Sequence, residues 1–200
     1  MALAAALLCG CGGGAGQSEA TAAAHPTPAE RETHETLRLG RRYMSVLRGA
    51  GEPLPDSLVL SVQRREYGIG KRGWYATSIG LADIYLVPAR QHLCLLSTNH
   101  ASSNCFPRDQ VAQGSAASVI CSPYLRPGTI EFAGIVPDGP HAVTVIRQHG
   151  KRLRVTVVHN VFVFDIPQQS AIPRAIAWQA GGERHRIPPG IRLAAARLPC

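Results

Sequence analysis

From Asp83 onward the apolar residues come in short runs, each cut off by proline, glycine or a polar turn, and this punctuation limits the fold more than any other feature. Asp83 to Pro88, Gln91 to Ser97, Ala117 to Ser122 and Thr129 to Val136 are too short for helices of ordinary length and rich in residues that suit strands. Pro137-Asp138-Gly139-Pro140 then forces a turn, because proline fixes φ and glycine permits positive values. Ala142 to Arg147 and Leu153 to Val158 flank Gln148-His149-Gly150-Lys151 as a hairpin. Its second strand puts Arg152, Arg154 and Thr156 on one face and Leu153, Val155 and Val157 on the other, one wet and one buried. Val161 to Ile166 and Arg174 to Trp178 follow, and Gly181-Gly182 makes a last turn before Arg186-Ile187. The pattern predicts an antiparallel, sandwich-like or half-barrel lobe over residues 129–188.

Upstream, Leu37, Leu39, Tyr43, Met44 and Leu47 recur at helical spacing between Glu30 and Leu47, with Thr33 and Glu35 near the expected start and Gly49, Gly51, Pro53 and Pro55 past the end. Ser57 to Val62 suits a short strand or a second short helix. Gly68, Gly70 and Gly73, interleaved with Lys71 and Arg72, have the spacing of a dinucleotide fingerprint, but no apolar strand leads into them and Trp74-Tyr75-Ala76-Thr77 opens no helix; a basic surface turn is expected. The fold class is therefore α+β and β-dominated: an N-terminal helix, then antiparallel strands.

The start of the chain gives an address. Ala2 to Leu8 is an unbroken run of alanine and leucine, the length of an export signal's apolar region. Leu8-Cys9-Gly10-Cys11 closes it and resembles the bacterial lipobox, at which lipoproteins are cleaved and lipidated; the resemblance implies lipidation at Cys11. Gly12 to Gly16 and the polar residues up to Pro28 are too poor in bulky apolar groups to pack, which suits a tether. The expected organisation is a signal over 1–10, a flexible tether over 11–29 and one exported domain over 30–200. Its place is the outer face of the cell membrane, lipid-anchored, the alternative being secretion.

Export favours disulfides. Apart from Cys9 and Cys11 the cysteines are Cys94, Cys105, Cys121 and Cys200. Cys94 ends an apolar strand and Cys105 follows a turn-rich stretch, so a bridge between them would staple a hairpin-like loop and leave Cys121 for Cys200; spacing alone leaves the other two pairings open. With no C-x-x-C, and only His92 and Cys94 as neighbouring ligands, no metal site is expected.

The formal net charge is +8, yet the basic residues are scattered and only Lys71 and Lys151 are lysine, as codon choice in a GC-rich genome would give. Nucleic acid is not an expected partner. The positive field suits anionic lipid headgroups or anionic envelope polymers.

Leu93-Cys94-Leu95, Cys105, Phe132 to Gly139 and His159-Asn160-Val161-Phe162, preceded by Val46-Leu47-Arg48, follow one another in an order that resembles a group of uncharacterised secreted or lipid-anchored proteins of GC-rich actinobacteria. That resemblance implies an exported, β-rich, cysteine-containing domain and carries no activity.

Catalytic signatures are missing from the sequence. There is no G-x-S-x-G and no H-E-x-x-H, and Ser118-Val119-Ile120-Cys121 lacks the histidine and glycine of the transpeptidase S-H-G-C core it faintly resembles. His100, His141, His149, His159 and His185 fall in expected turns or strand ends, Asp138 and Asn160 suit turn-bracing roles, and Phe132, Phe162, Phe164 and Trp178 suit a core. No catalytic, cofactor or metal residue is assigned. The reading is a non-enzymatic binding or structural module of the envelope; the alternative is a cell-envelope hydrolase or transferase of unrecognised type.

Overall fold

The computed structural model describes residues 25–55, 58, 67–68, 70–79, 82–98, 103–112, 117–120, 129–167, 173–180 and 182–187. Cys11, Cys121, Cys200, His100 and all of Ser57 to Val62 except Leu58 lie outside them.

Helix α1 (Pro28–Tyr43) starts earlier than its apolar stripe suggests. Thr27 accepts a hydrogen bond from the Glu30 amide while the Glu30 carboxylate accepts one from the Thr27 amide, with Pro28 in the first turn where its missing N–H costs nothing. The helix also stops earlier than Leu47. Met44 is extended, and Ser45–Arg48 form a 3-10 turn that folds Leu47 back onto the helix. Gly40 makes room for that return, since a Cβ there would lie 2.5 Å from a Leu47 methyl.

Five antiparallel strands follow in chain order: β1 (Glu52–Pro53), β2 (Arg72–Ile79), β3 (Ala82–Pro88), β4 (His92–Ser97) and β5 (Ser103–Pro107). Strand β2 corrects the expected surface turn. The basic loop ends at Lys71, and Trp74 and Ala76 point inward while Tyr75 points out, so alternation takes over where the glycines had suggested a continuing loop. A short helix α2 (Arg108–Ala112), unmarked by any periodicity, buries Val111 beneath α1.

Cys94 and Cys105 stand directly opposite each other on β4 and β5 and form a disulfide with Cα atoms 4.0 Å apart. Replacing both with alanine should lower unfolding free energy by about 3 kcal/mol, the chain-entropy value for so short a loop. Equal denaturation midpoints for the parent and this pair variant would remove the bridge from the list of stabilising elements.

The second sheet contains β6 (Ala117–Ile120), β7 (Thr129–Ile135), β8 (Ala142–Ile146), β9 (Arg152–Val158), β10 (Val161–Pro167), β11 (Ala175–Ala180) and β12 (Glu183–Ile187), in the order β12-β11-β8-β9-β10-β7-β6. Strands β9 and β10 meet at a two-residue turn in which His159 and Asn160 both have positive φ, 47° and 69°. They share only the pairs Val158 to Val161 and Val157 to Phe162. Beyond that point they part, and the sheet curls into a half-barrel whose two ends face each other as the leaves of a sandwich do. Phe132, Phe162 and Phe164 from one side meet Val143, Val145, Ile176 and Trp178 from the other. Phe132 and Phe164 stack with centroids 5.0 Å apart, and Phe162 crosses over Gly134 on the neighbouring strand.

Next to the turn that joins β9 to β10, strands β7 and β10 are buried on both faces, over Glu131 to Ile135 and Val161 to Phe162. Their alternate residues Ala133, Ile135 and Val161 join Met44, Leu47, Trp74, Ile84, Leu86, Leu93 and Leu95 in a core shared with the first sheet and α1. The two strands are thus a common wall between two cores.

Candidate functional site

Three of the segments that carry the resemblance meet at the end of α1. The Asp138 carboxylate accepts from the Ser45 amide at 2.7 Å, from Asn160 Nδ2 at 3.0 Å and from Arg48 Nη2 at 2.7 Å. Asn160, buried, also donates to the Val136 carbonyl and accepts from the Val46 amide. Burial alone would push the Asp138 carboxyl up, but hydrogen bonds from Asn160 and Ser45 and the Arg48 charge outweigh it and hold the group below its ordinary value. Asp138 therefore does more than brace its own turn: it fastens the N-terminal helix to the β lobe. These three donors make it a clasp between the two segments.

Other polar groups resolve in the same way. His159 Nδ1 lies 2.8 Å from the Ala76 carbonyl, which can only accept, so that nitrogen carries the proton. Ser78 donates to Asp83 at 2.7 Å, with the Tyr75 hydroxyl at 2.6 Å in place of an imidazole. His185 sits within β12 and not at a turn, stacked on Trp178 with centroids 5.6 Å apart. Among the described residues no three His, Cys, Asp or Glu side chains group closely enough to hold a metal ion.

One buried carboxylate has no counterpart in the sequence reading. Glu131 on β7, 4% exposed, lies directly opposite Asp165 on β10. Burial first, and the Asp165 charge second, push its carboxyl up to about 7.

The feature with the chemistry of a ligand site is a trough of about 620 Å³ on the outer face of the strands β12-β11-β8-β9, the face turned away from the phenylalanine core. Ala142, Thr144, Ala177 and Gln179 are its floor; Arg184 and Arg186 on β12 make one rim, Arg152 and Arg154 on β9 the other, and Gly139, Pro140 and His141 close one end. No Asp or Glu is among the described lining residues, and none of the four arginines takes part in an ion pair among the described residues. All four are exposed. The indole N–H of Trp178, on the core face of β11, is buried and has no hydrogen-bond partner among the described residues. The concentration of guanidinium donors over a small, neutral floor suits an anion. Thr144 supplies the hydroxyl of the lining and His141 its imidazole, and no hydrogen bond joins the two among the described residues.

Pairing register orders the arginines. Arg186, Ala177, Thr144 and Arg154 lie in one row across four strands; Gln179 and Arg184 lie in the row before it, and Ala175, Ile146 and Arg152 in the row after. Positive charge therefore stands on three successive rungs, single, double and single. The sequence reading had Arg152 and Arg154 as a solvated face and did not connect them with β12. The available signal was a pair of arginines two residues apart on each of two strands, but strand order β11 next to β8 is what unites them.

Comparison with protein-family models, with curated proteins and with solved structures gives no match for this chain, so the meaning of the trough rests on its own residues.

Proposed function

We propose that the chain is a non-enzymatic binding module of the cell envelope, held at the outer face of the membrane by a lipid on Cys11, and that the arginine trough is where it takes an anionic ligand. The observation that carries the reading is the set of four guanidinium groups around one trough with no carboxylate among the described lining residues. Ligand sites of a few hundred Å³ with a small number of convergent polar groups are common, and arginine is the side chain that best matches the paired oxygens of phosphate and carboxylate. The lipobox and the Gly-rich stretch after it support the address.

Two measurements test the two parts. Cys11→Ser should abolish lipid labelling and recovery of the full chain in the membrane fraction; unchanged partitioning rules out the anchor. Replacing Arg152, Arg154, Arg184 and Arg186 together by glutamine should weaken binding of the full chain to isolated envelopes by at least about 100-fold at low salt, the loss expected when even two of the four charged hydrogen-bonded contacts disappear. Retained binding rules out the trough.

A further inference from the structure

Resting on the anion-binding reading, we infer that the ligand of the trough is a linear phosphodiester polymer with one phosphate per six backbone bonds, of the glycerol-phosphate type, lying parallel to the strands between the two arginine rims. The rungs set the period. Successive residues on one face of a strand are two apart and roughly 7 Å along it. Arg184, the Arg186 and Arg154 pair, and Arg152 therefore offer charge at three levels about 7 Å apart. A polymer repeat of six backbone bonds has twice the bonds of a peptide residue and so spans about 7 Å when extended. Three consecutive phosphates thus meet one, two and one guanidinium groups in turn.

Width agrees with this. Three strand spacings separate β12 from β9, about 14 Å, so a chain lying over Ala177 and Thr144 is within reach of long side chains from both rims. Small floor residues let a polymer backbone sit close to the sheet, and Gln179 and the Thr144 hydroxyl can meet its oxygens.

Single-stranded nucleic acid has the same six-bond backbone repeat. Its binding by proteins depends on aromatic faces on which bases stack, and the floor of Ala142, Thr144, Ala177 and Gln179 has none; Trp178 is only 4% exposed. The floor therefore favours a polymer without bases.

The test is titration of the full chain with a glycerol-phosphate hexamer, glycerol 3-phosphate, a galacturonate oligomer and oligo-dT of matched charge. The hexamer is expected to bind at least 100-fold more tightly than the monomer and at least tenfold more tightly than the other two polymers. Arg154→Gln with Arg186→Gln, which empties the middle rung, should cost at least tenfold, with circular dichroism unchanged; Arg38→Gln on α1 should change nothing. Equal binding of galacturonate overturns the phosphodiester assignment and leaves anion binding standing. Equal or tighter binding of oligo-dT overturns it in favour of nucleic acid. If no polyanion binds, or the middle-rung variant binds normally, the proposed function falls with it.

Discussion

Glu131→Gln is expected to raise the stability of the protein by about 2 to 3 kcal/mol at pH 8 and to leave it nearly unchanged at pH 4. Glu131 is 4% exposed and faces Asp165, so the folded state favours its protonated form, with the carboxyl pushed up to about 7. The unfolded chain releases that proton near the ordinary value of 4.5. Between these two values the folded state binds more protons than the unfolded one, so stability falls as pH rises through this window and levels off above it. Glutamine keeps the shape of the neutral acid and has no charge to bury. Urea unfolding of the two proteins between pH 4 and pH 8 checks this, and parallel curves would mean that Glu131 is ionised in the fold at no cost.

Gly134→Ala should lose about 2 to 4 kcal/mol, a large effect for one methyl group. The added Cβ would lie 2.3 Å from the Phe162 ring, which crosses directly over Gly134 and is itself fully buried. Either the ring leaves the core or β7 and β10 separate. Combining the substitution with Phe162→Leu should recover part of the loss, because the smaller side chain removes the collision; the pair would then be less destabilised than the sum of the single variants. Additive effects in a double-mutant cycle would place the damage elsewhere in β7.

The sequence made the strands legible where alternation was clean. β3, β4 and the strands β7 to β11 fall where short apolar runs between turns put them, because each has at least one face committed to a core. β2 was hidden: three glycines and two basic residues suggested a loop that in fact ends at Lys71, and only the burial of Trp74 and Ala76 against α1 and β3 makes the next residues a strand. The helix boundaries shifted because Thr27 and Glu30 form a capping box outside the apolar periodicity. Asp138 and Asn160 were legible as turn residues, but their partners Ser45 and Val46 are 93 and 114 residues away, a distance that no local pattern encodes. The trough was least legible of all. Its rungs exist only once β11 pairs with β8 and β12 with β11, so four arginines that look scattered in the sequence become one surface through register.

The doubly buried wall of β7 and β10 bears on how this chain can be divided. Cutting away the residues before β6 would uncover Ala133, Ile135 and Val161 together, turning an internal seam into a continuous oily surface. A fragment holding only the half-barrel would then be prone to self-association, and a trough-binding assay on it would report the behaviour of aggregates. The arginine face and the N-terminal helix lie on different layers, yet removing the layer that holds either leaves the same shared core open.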